Sequence, residues 1–267
     1  MNRRLSSFGI ASILLFVCSA PAFSQTAATP KDAVDKEEKL PTADELSEKC
    51  AKGSGGREAW AKLQTIVMTG TVEIPTFNVT GKIEIFAKRP NKTLQITNVM
   101  DGQFVQKKAF DGQAGWKSDP QNGLKVLTGP ELEQTRLEAV FDTDVRLKEL
   151  YPDMKVTGRA KVGDRGAYTA LAHEPGEKTV TMYFDAQTGL RIAEDALGPD
   201  ETGNVVKTNI FIEDYRSAGG IQVPYRIRIV TPTVSLTIKI DDVQLNATVD
   251  DAKFAMPAAS PAAAPPQ

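Results

Sequence analysis

The feature that most limits what this chain can become is a period-two alternation that slips by one residue. In the stretch from Glu213 to Pro257, Tyr225, Ile227 and Ile229 alternate with Arg226 and Arg228. After the break at Thr231-Pro232, Val234, Leu236, Ile238 and Ile240 alternate with Ser235, Thr237, Lys239 and Asp241. Such alternation marks strands with one face buried and one face wet. At Asp241-Asp242 the phase shifts, and Val243 and Leu245 carry the apolar face onward. A one-residue shift inside a continuous strand predicts a β-bulge, which bends a sheet and tightens its twist. The prediction is a curved antiparallel sheet, followed by an acidic segment that docks Phe254 and stops at Pro257.

The same period governs most of the chain upstream. Ile66, Met68, Gly70, Val72 and Ile74 form one apolar face, and Phe77, Val79, Gly81, Ile83 and Ile85 form the next. Gly70 and Gly81 fall on these faces, where a missing side chain permits sharp curvature or leaves interior room. Further strands are expected around Leu94 and Ile96, over Phe104–Phe110, at Trp116, and over Met154–Val162, Ala167–His173, Thr179–Phe184, Leu190–Leu197 and Val205–Tyr215. Helical signals are few. Thr42 with Glu45 is a capping box opening a helix that Gly53 stops. Gly53-Ser54-Gly55-Gly56 reads as a tight turn into a second short helix, Arg57–Leu63, because no strand precedes it and no Lys-Ser/Thr follows to hold phosphate. Thr128 with Glu131 predicts another capping box, for a helix presenting Leu132, Leu137, Val140 and Phe141 on one face. A further helix restarts at Asp142 or Thr143 and bears Val145, Leu147 and Leu150. About ten or eleven strands in hairpin series, with helices at the start and in the middle, predict an α+β fold. Its core is one strongly curved antiparallel sheet.

The ends set the boundaries. Arg3 and Arg4, the apolar run Phe8–Val17 and Ala22-Phe23-Ser24 read as an export signal over 1–24. Cys18 is not favoured as a lipidation site, since Val17 before it is not small. Residues 25–41 read as a disordered tether and 258–267 as a disordered Ala/Pro tail. One domain over 42–257 remains, about 215 residues. Loss of Arg3 and Arg4 would take the formal charge from −2 to −4, and no basic stripe points to nucleic acid. Cys50 alone would remain, too few for an internal disulfide, and reads as a small apolar residue on a short helix or as an intermolecular link. The expected location is the periplasm.

Chemistry-bearing signals are sparse. His173 is the single histidine. It stands at a strand end outside any G-x-S-x-G or H-E-x-x-H context, and reads as a surface residue. Asp241-Asp242 and Asp250-Asp251 lack interleaved calcium ligands and fit bulge and capping roles. The reading is therefore non-enzymatic, with no catalytic residue, no metal and no cofactor. What remains is apolar surface: Met68, Ile83, Leu94, Phe104, Trp116, Met182 and Phe184 on the sheet, with Leu137, Val140 and Phe141 on the helical cover. These side chains fit a fully packed core. They equally fit a cavity left by incomplete closure, able to hold an acyl chain at about 0.8 kcal/mol per buried methylene.

Several short segments carry a family resemblance. They are Gly55-Gly56 with Trp60, Asp111-Gly112 with Gly115-Trp116, and Tyr183-Phe184-Asp185 with Thr188-Gly189-Leu190. Asp214-Tyr215-Arg216 with Gly220-Ile221 and Val223-Pro224, and then Asn246, Val249-Asp250-Asp251, Phe254 and Pro257, complete them. Together, over most of Cys50–Pro257, the chain resembles the outer-membrane lipoprotein-sorting family, the LolA/LolB-like periplasmic carriers and their uncharacterised exported relatives. The resemblance implies a half-barrel whose concave face is partly covered by helices and holds lipid-linked acyl chains. The implied partners are a lipid or an acylated protein, and also envelope proteins, met by a monomer. The alternative is a non-enzymatic envelope interaction module with a fully packed interior.

Overall fold

In a computed structural model, residues 39–176, 178–199 and 204–258 are described. The expected export segment with Cys18, most of the tether and the tail beyond residue 258 lie outside them. Helices α1 (Ala43–Gly53) and α2 (Arg57–Ala61) open the fold. Strands β1 (Thr65–Ile74), β2 (Val79–Lys88), β3 (Lys92–Val99), β4 (Phe104–Phe110), β5 (Gly115–Asp119) and β6 (Gly123–Val126) follow as a meander. Helices α3 (Gly129–Glu138) and α4 (Leu147–Leu150) cross over, with a single 3-10 turn at Thr143–Val145 between them. A second meander holds β7 (Lys155–Val162), β8 (Arg165–Glu174), β9 (Lys178–Asp185), β10 (Arg191–Pro199), β11 (Val205–Ala218), β12 (Ile221–Val230) and β13 (Ser235–Leu245).

All thirteen described strands form one antiparallel sheet in the order β6-β5-β4-β3-β2-β1-β13-β12-β11-β10-β9-β8-β7. The α+β curved sheet is therefore as expected, with more strands than the ten or eleven counted from sequence. Gly-Leu-Lys-Val of β6 is too short to show a period. The slip at Asp241 is a real bulge: Thr69 pairs with Asp242 and Gly70 with Ile240, leaving Asp241 unpaired. Gly70 stands at that point because a Cβ there would meet the Lys239 carbonyl oxygen at 2.1 Å. Two further register shifts skip Thr157 in β7 and Ile192 in β10.

Both faces of the sheet are apolar and each has its own cover. On one face, Val67, Phe86, Leu94, Ala109 and Trp116 pack under Val249 and Phe254. Phe254 is completely buried and its carbonyl accepts the Trp116 indole N–H at 2.9 Å. Met68 and Ile85 alternate with Val67 and Phe86, so they point the opposite way. On that second face α1 and α4 cover the β8–β9 flank, packing Leu46, Cys50 and Leu147 on Met182 and Phe184. The far end of the same face closes on itself around Val72, Ile74, Ile83, Val99, Phe104 and Ile238.

The capping box at Thr42 forms as expected, Thr42 Oγ1 accepting from Glu45 N–H at 3.2 Å and Glu45 Oε2 accepting from Thr42 N–H at 2.7 Å. The second capping box does not. Thr128 is the N-cap of α3, but its side chain makes no capping bond, and Pro130 occupies the first turn with no N–H to offer. The helix also ends at Glu138, so Val140 and Phe141 lie past its C-cap rather than on its face, and Thr135 is its buried residue.

Candidate functional site

Between the closed end and the α1–α4 flank the second face is not filled. A cavity of about 300 Å³ has a floor of Ile66 and Met68 from β1, Ile85 and Ala87 from β2, and Ile210 and Ile212 from β11. Val223 and Ile227 from β12 and Ile240 from β13 complete that floor. Its roof is Trp60 from α2 with Phe141, Thr143 and Asp144. The roof is thin. Asp142, Val145 and Arg146, interleaved with the cavity-lining residues, face an outer cleft of about 700 Å³ that also touches Trp60. A single irregular segment, Phe141–Arg146, thus separates the cavity from the cleft.

Polar bonds fasten this roof. Arg89, at the end of β2, donates from Nε to the Leu63 carbonyl at 2.7 Å and from Nη2 to the Trp60 carbonyl at 2.8 Å. Its Nη1 donates to Asp142 Oδ2 at 2.8 Å, and its guanidinium lies 4.9 Å from the centre of the Phe141 ring. Arg146 is ion-paired with both Asp142 and Glu149.

A second set of bonds lies at the polar end of the cavity. Arg191 Nη1 donates to Glu194 Oε1 at 2.5 Å, and Arg191 Nη2 lies 3.2 Å from Asp144 Oδ1. The Tyr215 hydroxyl donates to the Arg191 carbonyl at 2.7 Å. Close by, the Tyr151 hydroxyl donates to Glu174 Oε1 at 3.0 Å, and Gln134 Nε2 donates to Glu174 Oε2 at 3.1 Å. Arg191 and Glu194 are three apart, and in a regular strand they would point to opposite faces. The bulge at Ile192 turns them to the same side.

Burial sets the protonation of this cluster. It pushes the Glu194 carboxyl up from its ordinary value, against the opposing pull of Arg191. Burial also works against charge on Arg191, but Glu194 and Asp144 outweigh it and hold the guanidinium protonated. The Cys50 thiol is pushed well up by burial and then by Asp144, so it packs as an inert side chain. Arg191 Nε and Asp144 Oδ1 are buried without a hydrogen-bond partner, the latter within ion-pair distance of Arg191 but misaligned. Each buried polar atom left unpaired in this way costs free energy.

The ten side chains expected at the site fall in four places. Met68 and Phe141 line the cavity. Ile83 and Phe104 fill the closed end. Leu94 and Trp116 pack on the other face with Phe254. Met182 and Phe184 lie under α1 and α4 with Leu137 at the margin, while Val140 is half-buried and accepts a hydrogen bond from Thr143 Oγ1 at 2.5 Å. The floor residues other than Met68 were not foreseen at the site, and neither were Trp60, Thr143, Asp144, Arg191 and Tyr215. Trp60 and Tyr215 carried a sequence signal as parts of the turn segments quoted above, and Thr143 as a helix restart, while Asp144 and Arg191 carried none.

His173 lies on β8 at the surface, its Nδ1 in close contact with Asp153 Oδ2. Among the described residues no group of three His, Cys, Asp or Glu side chains is placed to hold a metal ion, and no helix is long and apolar enough to cross a membrane.

No protein-family model matches the chain, and no curated protein matches its sequence. Solved structures do. A LolA superfamily protein from Nitrosomonas europaea aligns with a TM-score of 0.55 at 12% identity, over 81% of this chain and 98% of that one. A DUF1329 family protein from Desulfovibrio piger aligns with a TM-score of 0.55 at 12% identity, over 79% and 95%. A candidate outer membrane lipoprotein-sorting protein domain from Vibrio parahaemolyticus aligns with a TM-score of 0.53 at 8% identity, over 79% and 94%. At such identities the likeness is one of fold: this chain shares the architecture of these solved structures.

Proposed function

We propose that this protein is an exported, periplasmic, non-enzymatic carrier or binding protein for a lipid or a lipoprotein acyl chain. The observation that carries the reading is the apolar cavity of about 300 Å³ under a roof fastened by polar bonds. Its volume is at the small end of ligand pockets, enough for one chain rather than several. Burial of a chain there gains about 0.8 kcal/mol per methylene. The bonds at Arg89 and Arg191 can exchange with water as the Phe141–Arg146 segment moves, at a small net cost each. The LolA-like architecture supports the same reading, since the solved relatives include a candidate lipoprotein-sorting domain. Met68 and Phe141, with Trp60 and Ile212, would hold the chain. Acyl chains would enter from the outer cleft, and the protein would work as a monomer, meeting acylated or other envelope proteins at the roof.

Native mass spectrometry of the purified protein, before and after delipidation, tests this. A bound lipid, and uptake of a fluorescent fatty acid that Met68→Glu abolishes, are expected. No bound lipid together with no uptake would sink the proposal. The alternative of a fully packed interaction module requires a filled interior, which the cavity argues against.

A further inference from the structure

The outer cleft of about 700 Å³ is larger than the cavity of about 300 Å³ beneath it, and its lining mixes apolar surface with charge. The apolar part comes from the buried Trp60 and Val145 and from Ala61. The charged part is four cations, Arg57, Arg89, Arg146 and Lys148, against two acids, Asp142 and Glu149. These cations are brought together only by the fold: Arg57 opens α2, Arg89 follows β2, and Arg146 and Lys148 belong to the start of α4. Among the residues lining the two spaces, Trp60 alone is common to both, and its ring centre lies 6.4 Å from that of Phe141. The way from cleft to cavity runs past these two rings.

The cations differ in what holds them. Arg89 spends its guanidinium on the Leu63 and Trp60 carbonyls and on Asp142, and the buried Asp142 is shared with Arg146. Those bonds belong to the roof. Arg57 and Lys148 are tied outward instead, to Glu48 and Asp44, neither of which lines the cleft. The side chains of Arg57 and Lys148 are 53% and 70% exposed, and their acidic partners are exposed as well. Exposed pairs of this kind are weakly held, so an arriving anion can take the place of either acid. The Lys148 ammonium also carries three N–H groups and gives one to Asp44.

We propose that the cleft seats the phosphate of a lipid head group while the acyl chain of the same molecule passes Trp60 into the cavity. The proposal rests on the reading of the cavity as an acyl site, and it names the ligand: a phospholipid with net negative charge. A phosphate presents several acceptor oxygens, so Arg57 and Lys148 can both donate to it. A neutral head group would offer these cations no charge to pair with. The carboxylate of a plain fatty acid would use little of a space of about 700 Å³.

Displacement of a bound fluorescent fatty acid from the purified, delipidated protein tests it. The competitors are lysophosphatidylglycerol, monoacylglycerol of the same chain length, and glycerol phosphate. At low salt lysophosphatidylglycerol should bind about tenfold more tightly than monoacylglycerol, and glycerol phosphate alone should displace nothing. Added salt should shrink that advantage. Arg57→Gln with Lys148→Gln should bring the ratio of the two affinities close to one, with little change in the urea midpoint because both ion pairs are exposed. Lys148→Arg, which keeps the charge, should keep the ratio. Lysophosphatidylglycerol binding no tighter than monoacylglycerol, or a ratio that the double variant leaves intact, overturns the proposal and leaves the acyl reading standing. Displacement by glycerol phosphate as effective as by lysophosphatidylglycerol also overturns it, since the seat would then take a soluble anion without a chain. Displacement by none of the three overturns this proposal and the acyl reading together.

Discussion

The sheet wears two covers, and they are fastened by opposite kinds of force. On one face the segment around Val249–Phe254 seals by area: Phe254 is fully buried among Phe86, Leu94 and Trp116, the Trp116 indole N–H donates to the Phe254 carbonyl, and Lys88 Nζ donates to the Val249 carbonyl. On the other face the Phe141–Arg146 segment is held by guanidinium–carboxylate and guanidinium–carbonyl bonds and leaves space beneath it. Apolar burial is non-directional, and almost all of it is lost when the contact opens. Hydrogen bonds and ion pairs open onto water that replaces them, so their net cost of opening is small. The first cover is part of the fold's stability, and the second is suited to move.

The sharpest way to break this comparison is truncation on each side. Phe254→Ala should cost about 3–5 kcal/mol in urea unfolding, with acyl uptake per folded molecule unchanged. Arg191→Met should cost less, about 2 kcal/mol, because Glu194 and Asp144 lose their partner at a site that is not fully dry. Replacing Glu194 by Gln and Asp144 by Asn in the same chain should return most of that loss. Smaller still, Phe141→Ala should cost about 1 kcal/mol, since its ring already faces open space, and should speed fatty-acid uptake in stopped-flow. A loss at Phe141 equal to that at Phe254 would mean that both covers seal alike.

Acid should act on the two covers with opposite sign. Burial raises Glu194, so its contribution to stability is complete below the ordinary carboxyl value of 4.5 and is lost as pH rises through the raised value. Asp251 is lowered by its bonds to Lys88 and Lys92, so its contribution is present above 3.8 and is lost as pH falls through the lowered value. Glu194→Gln should flatten the stability profile above pH 4.5, and Asp251→Asn should flatten it below 3.8. Identical changes from both variants would refute the distinction.

The sheet was legible because its signal is local and repeated. Alternation through Val234–Ile240 fixes which side chains share a face, and one broken period at Asp241 was enough to place a bulge. Phe254 was legible too, as a lone aromatic between acids and a proline. The cavity was harder to see, since Met68, Ile83 and Phe104 share one face and only their distance from the roof decides which is packed and which lines space. Its polar end left no pattern at all. Asp144, Glu174, Arg191 and Tyr215 come from four separate elements, and Arg191 meets Glu194 only because Ile192 is skipped in the pairing. Helix α3 departs from the amphipathic reading because its buried residue is a threonine and two of the four expected apolar residues, Val140 and Phe141, lie beyond its end.

The position of β1 has a consequence for how the chain reaches this state. The first strand pairs with the last, Ile66 beside Leu245, at the centre of the sheet rather than at an edge. Each meander can zip locally, but the join between them waits for residues nearly the whole domain apart. Loop-closure entropy makes such a contact late and slow. A chain threaded through a membrane from its N-terminus could not complete its fold until almost all of it had emerged.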